Sequence, residues 1–513
     1  MSIKFALCYP NLYRIGMSCL AVHLIYELLN MYKDVVCERF FLDENIPLKS
    51  LESNMPLNAF DVAGFSLQYE LDYINFIRIL LKSGIPPISV NRDDSHPIIC
   101  LGGPAITANP EPLALFADVI ILGEFEPIVD SFLNILLEYK NKSKLEILER
   151  LSKIPGIYVP SINETAERIW VHDLNSAHHA IKQVIPADNF KQFFSPILGR
   201  SFLLEISRGC TFRCRFCLEG YNYLPMRFRS LETLQSILEN GLKYTPTNKV
   251  VIIGSAASMH PNLEELLEFL HSNKCTISVS SLRLDLINEK LLKLLARSGQ
   301  KTITFAPEAA SDRLLDMINK GFRVHDVLKA IKLAKSFGFK RIKLYFMIGL
   351  PGETMDDIKS IVELSNKIID IGFKTPKSIK ISFSFFVPKA NTPFQWFGMA
   401  SRESLEEKVQ LIKEKLCGKG RFEIVFHSMR ESFIQAFLSR SDRCIAPILL
   451  KLAEGDNSIS TLRKMEKKFN FSIESYATKT LNPNLSLPWD NIKLGYERSL
   501  ILTEYNKAIK HIS

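Results

Sequence analysis

Three cysteines, Cys210, Cys214 and Cys217, fall within SRGCTFRCRFCLEG, the segment from Ser207 to Gly220. An odd number of thiols cannot all pair as disulfides, and three is one ligand short of a closed tetrahedral zinc site. Thiolates are soft ligands that suit zinc or iron–sulfur clusters. With three and then two intervening residues, one short loop wraps a cube, each sulfur binding a different iron of a [4Fe–4S] cluster. The fourth iron is then free for a substrate or cofactor. No second CxxC knuckle or histidine pair lies nearby. An electron-transfer ferredoxin needs a fourth cysteine, and the next one, Cys275, falls on an expected interior strand. The residues alone leave an open cluster site, a zinc site and chance spacing as readings, and the spacing favours the first.

Other side chains near the loop carry plainer alternatives. Arg208, Arg213, Arg215, Arg227 and Arg229 crowd around it; they steer an anionic substrate, raise a cluster's potential, or simply pair with nearby acids. His178 and His179 are adjacent on an extended segment and so point to opposite faces. They read as linker surface, not as a metal pair. Cys8 and Cys100 lie on expected strands, where buried free thiols are ordinary.

Positioning such a loop needs a scaffold, and 513 residues imply two to four domains. Composition is that of a globular protein, with 47% hydrophobic and 23% charged residues. The apolar runs fall short of the ~20 residues that span a bilayer, and MSIKFALCYP reads as a first strand, not a signal. Ten cysteines, most of them scattered, do not form a secreted disulfide framework, so a reducing cytoplasm is the expected compartment. A formal charge of +9 suits an anionic substrate or an RNA partner.

Residues 1–144 alternate strands (IKFALCY, VAGFSL, PIICLGG, DVIILGE) with helical periodicity, the pattern of a doubly wound, Rossmann-like parallel sheet. Ligands of such sheets bind at the carboxyl ends of the strands, where Gly16, Ser66, Gly102, Gly103 and Gly123 fall. No GxGxxG is present, which disfavours a dinucleotide site. Residues 145–197 are proline-punctuated and read as a linker with a small hairpin. Residues 198–400 contain six strand–helix steps, enough for a partial (β/α)6 TIM-type barrel, with the cysteine loop after its first strand. Residues 401–513 read as mainly helical.

The spacing Cys210-x3-Cys214-x2-Cys217, with the aromatic Phe216 before the third cysteine, resembles the signature of radical S-adenosylmethionine (SAM) enzymes. In those enzymes SAM chelates the fourth iron through its amino and carboxylate groups. An electron from the reduced cluster then splits the sulfonium and releases a 5′-deoxyadenosyl radical. VVIIGSAAS stands where many of them have a Gly-Gly-Glu turn that holds the SAM amino group; Gly254 is kept, while Ser255 and Ala256 replace the rest. SSLRLDLI resembles their strand-and-arginine segment, which implies Ser281 and Arg283 as SAM contacts. TFAPEAASDRLLDMINKG resembles the segment whose glutamate reaches SAM, which implies Glu308. MIGLPGET is similar to the turn beside the adenine, which implies Gly349. The plain alternatives are pairing of Arg283 near Asp285 and helix capping by Glu308.

YPNLYRIGMS, GFSLQYELDY, CLGGPAITANPEPLALFADVIILGEFEPIV, FVPKANTPFQW, LSRSDRCIAPIL and LPWDNI resemble one branch of that superfamily, whose members carry an N-terminal cobalamin-binding-like domain. Cobalamin domains often contain Asp-x-His-x-x-Gly, whose histidine is the lower cobalt ligand. Aligned on Gly16, Asn11 and Tyr13 take the Asp and His positions. A phenol with a pKa near ~10 is a poor cobalt ligand. The resemblance thus implies either cobalamin held at Tyr13, Gly16, Ser66, Gly102, Gly103 and Gly123 with no protein ligand, or a domain that keeps the fold and binds something else. It further implies methylation of an unactivated carbon, with methylcobalamin delivering the methyl group. The alternatives are a cobalamin-independent radical rearrangement, cyclisation or sulfur insertion, or a non-catalytic iron–sulfur protein that senses redox state or binds RNA. The partners implied are a reducing donor such as flavodoxin or ferredoxin, and an RNA, protein or small-anion substrate, with no membrane.

Overall fold

The structure is a computed structural model that describes residues 2–187, 194–279, 281–418, 420–455 and 459–512. Its first sheet holds β1 (Ile3–Tyr9), β2 (Val35–Phe41), β3 (Val62–Ser66), β4 (Ile98–Gly102), β5 (Val119–Ile121) and β6 (Ile157–Tyr158). The order is β2-β1-β3-β4-β5-β6, parallel except for the antiparallel β6. Helices cover both faces, so the strands read as nearly continuous apolar runs. Phe65 and Leu101 pack with Phe76, Ile77 and Leu80 on one face; Phe5, Leu7 and Val119 pack with Leu24, Leu28 and Phe132 on the other. Strand order reverses between β1 and β3, which opens a crevice beyond their carboxyl ends.

The second alternation gives β7 (Phe202–Glu205), β8 (Lys249–Ile253), β9 (Thr276–Val279), β10 (Thr302–Glu308), β11 (Arg341–Ile348), β12 (Ile379–Phe385) and β13 (Phe422–Phe426). Neighbours pair in parallel within β9-β8-β7 and within β10-β11-β12-β13. Among the described residues one isolated parallel bridge, Leu282 to Phe305, links the two groups. The six expected strands all form, and a seventh, β13, comes from the region read as mainly helical. Its FEIVF repeat covers the open edge of β12, which would otherwise carry unpaired backbone groups. Helices pack on the outer face; the longest, Met355–Ile371, starts at a capping box in which Thr354 and Asp357 satisfy each other's backbone N–H groups.

Two expectations for residues 145–197 need correction. The hairpin is replaced by separate pairings: β6 joins the first sheet, and Ala166–Glu167 pairs in parallel with Ile492–Lys493 near the carboxyl end of the chain. His179 is not surface. It is 4% exposed, accepts the Glu205 N–H at 3.0 Å on Nε2 and sits 3.1 Å from the Ala180 carbonyl through Nδ1. Tertiary packing against Phe202, not local polarity, decides its place. Among the described residues no helix is long and apolar enough to cross a membrane.

Candidate functional site

The cysteine loop is pinched at its base, where Ser207–Arg208 pairs antiparallel with Arg227–Phe228. Gly209 has φ +81°, and a Cβ there would lie 2.3 Å from the Tyr223 carbonyl oxygen, so the turn into the loop admits only glycine. Cys217 N–H bonds to the Cys214 carbonyl at 2.9 Å. Outer supports fix the rest. Arg215 donates to the carbonyls of Asp316 and Met317 and pairs with Glu504 at 3.1 Å. Asn319 donates to the Phe212 carbonyl at 3.0 Å.

Cys214 is buried, and Cys210 and Cys217 are partly so. Burial pushes the Cys210 thiol up, and it pushes Cys217 up to about 12, helped by the neighbouring Cys214 and Glu219. Both therefore stay protonated until a metal displaces the proton. Among the described residues no three His, Cys, Asp or Glu side chains are grouped to hold a metal ion. The fit of these cysteines to a cluster rests on the donor set: three soft thiols on one braced loop.

A cavity of about 470 Å³ opens beside the loop, within the size range of cofactor sites. One wall is the first sheet's carboxyl edge, with Ser66, Gly102, Gly103 and Gly123; the other is the mouth of the second, with Ser207, Gly209, Glu219, Gly254 and Ser255. Ser207 Oγ is buried there without a partner among the described residues. A Cβ on Gly254 would stand 2.6 Å from that hydroxyl, so glycine keeps it open to the cavity. This unpaired donor fits a polar ligand such as SAM. Ser255 is engaged differently, donating to Glu219 at 2.6 Å.

The other expected SAM contacts are distributed unevenly. Glu308 ends β10 at φ +69°, a strained setting for a side-chain residue, after a bulge that breaks the β10–β11 register. Lys320 lies 3.5 Å from its carboxylate and 5.8 Å from the Phe216 ring, which ties Glu308 to the cysteine loop. Arg283 pairs with Asp285 at 2.9 Å and lies 3.3 Å over the Phe212 ring, bracing the loop from outside the cavity. Ser281 is exposed. Gly349 faces Leu405, whose Cδ2 would be 2.6 Å from an added Cβ, so it belongs to helix packing and does not line the cavity.

On the first sheet's side, Gly103 (φ +113°) and Gly123 (φ +104°) make turns that a Cβ would block against the carbonyls of Leu67 and Ile169. Two expected cobalamin contacts need correction. Tyr13 is 6% exposed and packs edge-on against Phe41 and Phe194; Gly16 lies against the Phe41 ring. Neither lines the cavity. Aromatic packing draws that turn inward, and burial raises the Tyr13 pKa, so it stays a neutral phenol. Cys19, Leu20 and Leu24 of the next segment line the wall instead, and among the described residues no lining residue is a histidine.

Acids not nominated from sequence tie the halves together. Glu124 pairs with Arg208 at 2.9 Å and Arg227 at 2.7 Å, and Glu126 pairs with Arg208 at 2.7 Å. Glu205 pairs with Arg208 at 2.8 Å and Arg229 at 3.0 Å. Burial alone would raise the Glu205 pKa, but these guanidinium groups win and hold it at about 2. Three of the five arginines around the loop are thus bound to cavity-side carboxylates, the plainer of the two roles their clustering suggested. The GEFEP segment was the available signal for Glu124 and Glu126: two acids directly after a strand-ending glycine.

A family model for the N-terminal part of radical SAM proteins matches residues 21–160, and one for the radical SAM superfamily matches residues 204–365. An uncharacterized protein of Methanocaldococcus jannaschii is 33% identical over 462 residues, 90% of this chain and 93% of its own. An uncharacterized methyltransferase of Pyrococcus horikoshii is 24% identical over 284 residues, 53% of this chain and 58% of its own. Among solved structures, the radical SAM methyltransferase TsrM from Kitasatospora setae, with cobalamin and a [4Fe–4S] cluster bound, matches at TM-score 0.50 and 14% identity, covering 75% of each chain. The cobalamin-dependent SAM radical enzyme OxsB, with aqua-cobalamin and SAM bound, matches at TM-score 0.52 and 15% identity, covering 100% of this chain and 80% of its own. At such identities the likeness is one of fold.

Proposed function

From a chain that belongs to the radical SAM superfamily, and is a radical SAM enzyme, we propose a cobalamin-dependent methylation of an unactivated carbon. The observation that carries this reading is the single cavity shared by the first sheet's carboxyl edge and the cysteine-loop side of the second. Two cofactor sites facing one space is what methyl transfer between them requires. When bound, the cluster and SAM supply a 5′-deoxyadenosyl radical that abstracts a hydrogen atom from substrate, and methylcobalamin supplies the methyl group.

The protein's own tasks follow from its residues. Cys210, Cys214 and Cys217 would hold the cluster, with Arg283 and Asn319 fixing Phe212 between the first two. Ser207 Oγ and the backbone beside Gly254 would meet the polar part of SAM, and Glu308 would accept from it. Ser66, Gly102, Gly103 and Gly123 would bear the corrin edge. No histidine is among the described lining residues, so these residues would hold cobalamin without a protein ligand to its cobalt. The pairs from Glu124 and Glu126 to Arg208 and Arg227 would keep the two walls in register. A flavodoxin or ferredoxin in the same compartment would supply the electron.

Anaerobic purification with added cobalamin, followed by iron, sulfide and cobalt analysis and a 5′-deoxyadenosine assay after dithionite reduction, tests the reading. Four irons, one cobalt and SAM cleavage are expected. Cleavage without bound cobalt would overturn the methylcobalamin step and leave radical-only chemistry.

A further inference from the structure

The strands β10 to β12 present their alternate residues very differently. Ile303, Phe305, Ile342, Leu344, Phe346, Ile379 and Ile381 are fully buried with the outer helices' Val327, Ile331 and Ile361. The intervening residues face the concave side, and there β11 offers Lys343, Tyr345 and Met347, all only half-buried. Such bores are ordinarily filled by apolar side chains. Here the register sets Thr304, Lys343 and Lys380 side by side in one row, with Tyr345 beside Ser382 in the next.

The cations of this face are not equivalent. Lys380 is matched by Glu423 on β13, and Lys320 by Glu308 at the mouth. Lys343 meets no carboxylate among the described residues; its ammonium lies 4.6 Å over the Tyr345 ring. Lys343, the third residue of β11, thus has an aromatic face, Thr304 and a second cation, Lys380, beside it and no anion. Glu308 is level with Phe346, so Lys343 sits three residues, about 10 Å, below the mouth.

We propose that Lys343 and Tyr345 form the anchor of the substrate site, with the ammonium receiving a carboxylate or phosphate of a small anionic substrate and the ring packing on its carbon skeleton. The inference rests on the radical SAM reading of the mouth above it, where the anchored molecule would present its reacting carbon. A carboxylate and a phosphate are both oxyanions that one ammonium takes through charge-assisted hydrogen bonds.

Titration of the purified holoenzyme with benzoate and, separately, with inorganic phosphate tests this, with benzamide as the neutral counterpart of benzoate. Benzoate or phosphate is expected to bind, about tenfold or more weakly in Lys343→Gln and close to wild type in Lys343→Arg. Benzamide is expected to bind poorly to all three. The arm that binds tells a carboxylate substrate from a phosphorylated one. A measurement on the unaltered protein guards against a misfolded variant: the bound anion should slow acylation of Lys343, read by mass spectrometry, without slowing that of Lys359. Absence of binding by both anions at millimolar concentration, equal affinity in Lys343→Gln, or unprotected Lys343 would each overturn the proposal. SAM cleavage by the wild-type enzyme is read separately, so a failed anchor and a failed radical reading give different results. A large RNA or protein competing with neither anion would place macromolecular binding elsewhere.

Discussion

At the scale of single residues, the thiols and the buried histidines make the sharpest claims. Replacing any one of Cys210, Cys214 or Cys217 by alanine leaves two sulfurs for a cluster that needs three. Iron content should fall to a minor fraction of wild type, and 5′-deoxyadenosine formation should fall below detection. His179 predicts a pH effect. Burial lowers its pKa to about 3, against about 6.5 in an unfolded chain. As pH falls below about 6.5 the unfolded chain takes up the proton first, so stability is full above that pH and drains away toward pH 3, by about 1.4 kcal/mol per pH unit. His23, lowered by burial to about 4, adds a second proton over the upper part of that range. Urea unfolding between pH 7 and 5 should show this slope, and His179→Gln should flatten it by about one proton; an unchanged slope would exclude His179 as its source. The cysteine spacing was legible because the chemistry is local to eight positions. His179 was not, because its acceptor role depends on Glu205, 26 residues away.

Elements were legible in proportion to how far local pattern decides them. The apolar runs that became β1, β3, β4 and β5, and the six strands from β7 to β12, stand between turn residues and declare themselves. β13 shows the same FEIVF alternation, but it is short and sits among helices, and only the open edge of β12 gives it a use. The Tyr13–Gly16 turn was misplaced because alignment on a glycine says nothing about which way an aromatic ring turns. Caps are the most local signals of all. Thr354→Ala should remove the bond to the Asp357 N–H and destabilise the Met355–Ile371 helix by about 1 kcal/mol, seen as a lower denaturant midpoint with an unchanged m-value.

Carboxylates beside the first sheet reach cations that lie far along the chain, and no reading of separate segments would pair them. Glu124 is 84 residues from Arg208 and 103 from Arg227. Glu124→Gln would leave the buried Arg227 guanidinium without its carboxylate, while Arg208 keeps Glu126 and Glu205. Stability should fall by about 3 kcal/mol or more, and added salt should change this little because the pairs are buried. Thermal melts at low and high ionic strength would check both; a loss that vanishes in salt would mark the pairs as solvent-exposed.

Glu111 carries a different consequence. This buried carboxylate accepts from Tyr158 at 3.0 Å, from Arg443 at 2.9 Å and from Asn491 at 2.9 Å. The last two partners belong to the final quarter of the chain. A ribosome therefore finishes the first sheet long before Arg443, the cation that neutralises this acid, and Asn491 exist, and excision of the first sheet as a fragment would recreate that unfinished state permanently. Ligand binding measured on such a piece would describe an intermediate of biosynthesis and not the enzyme.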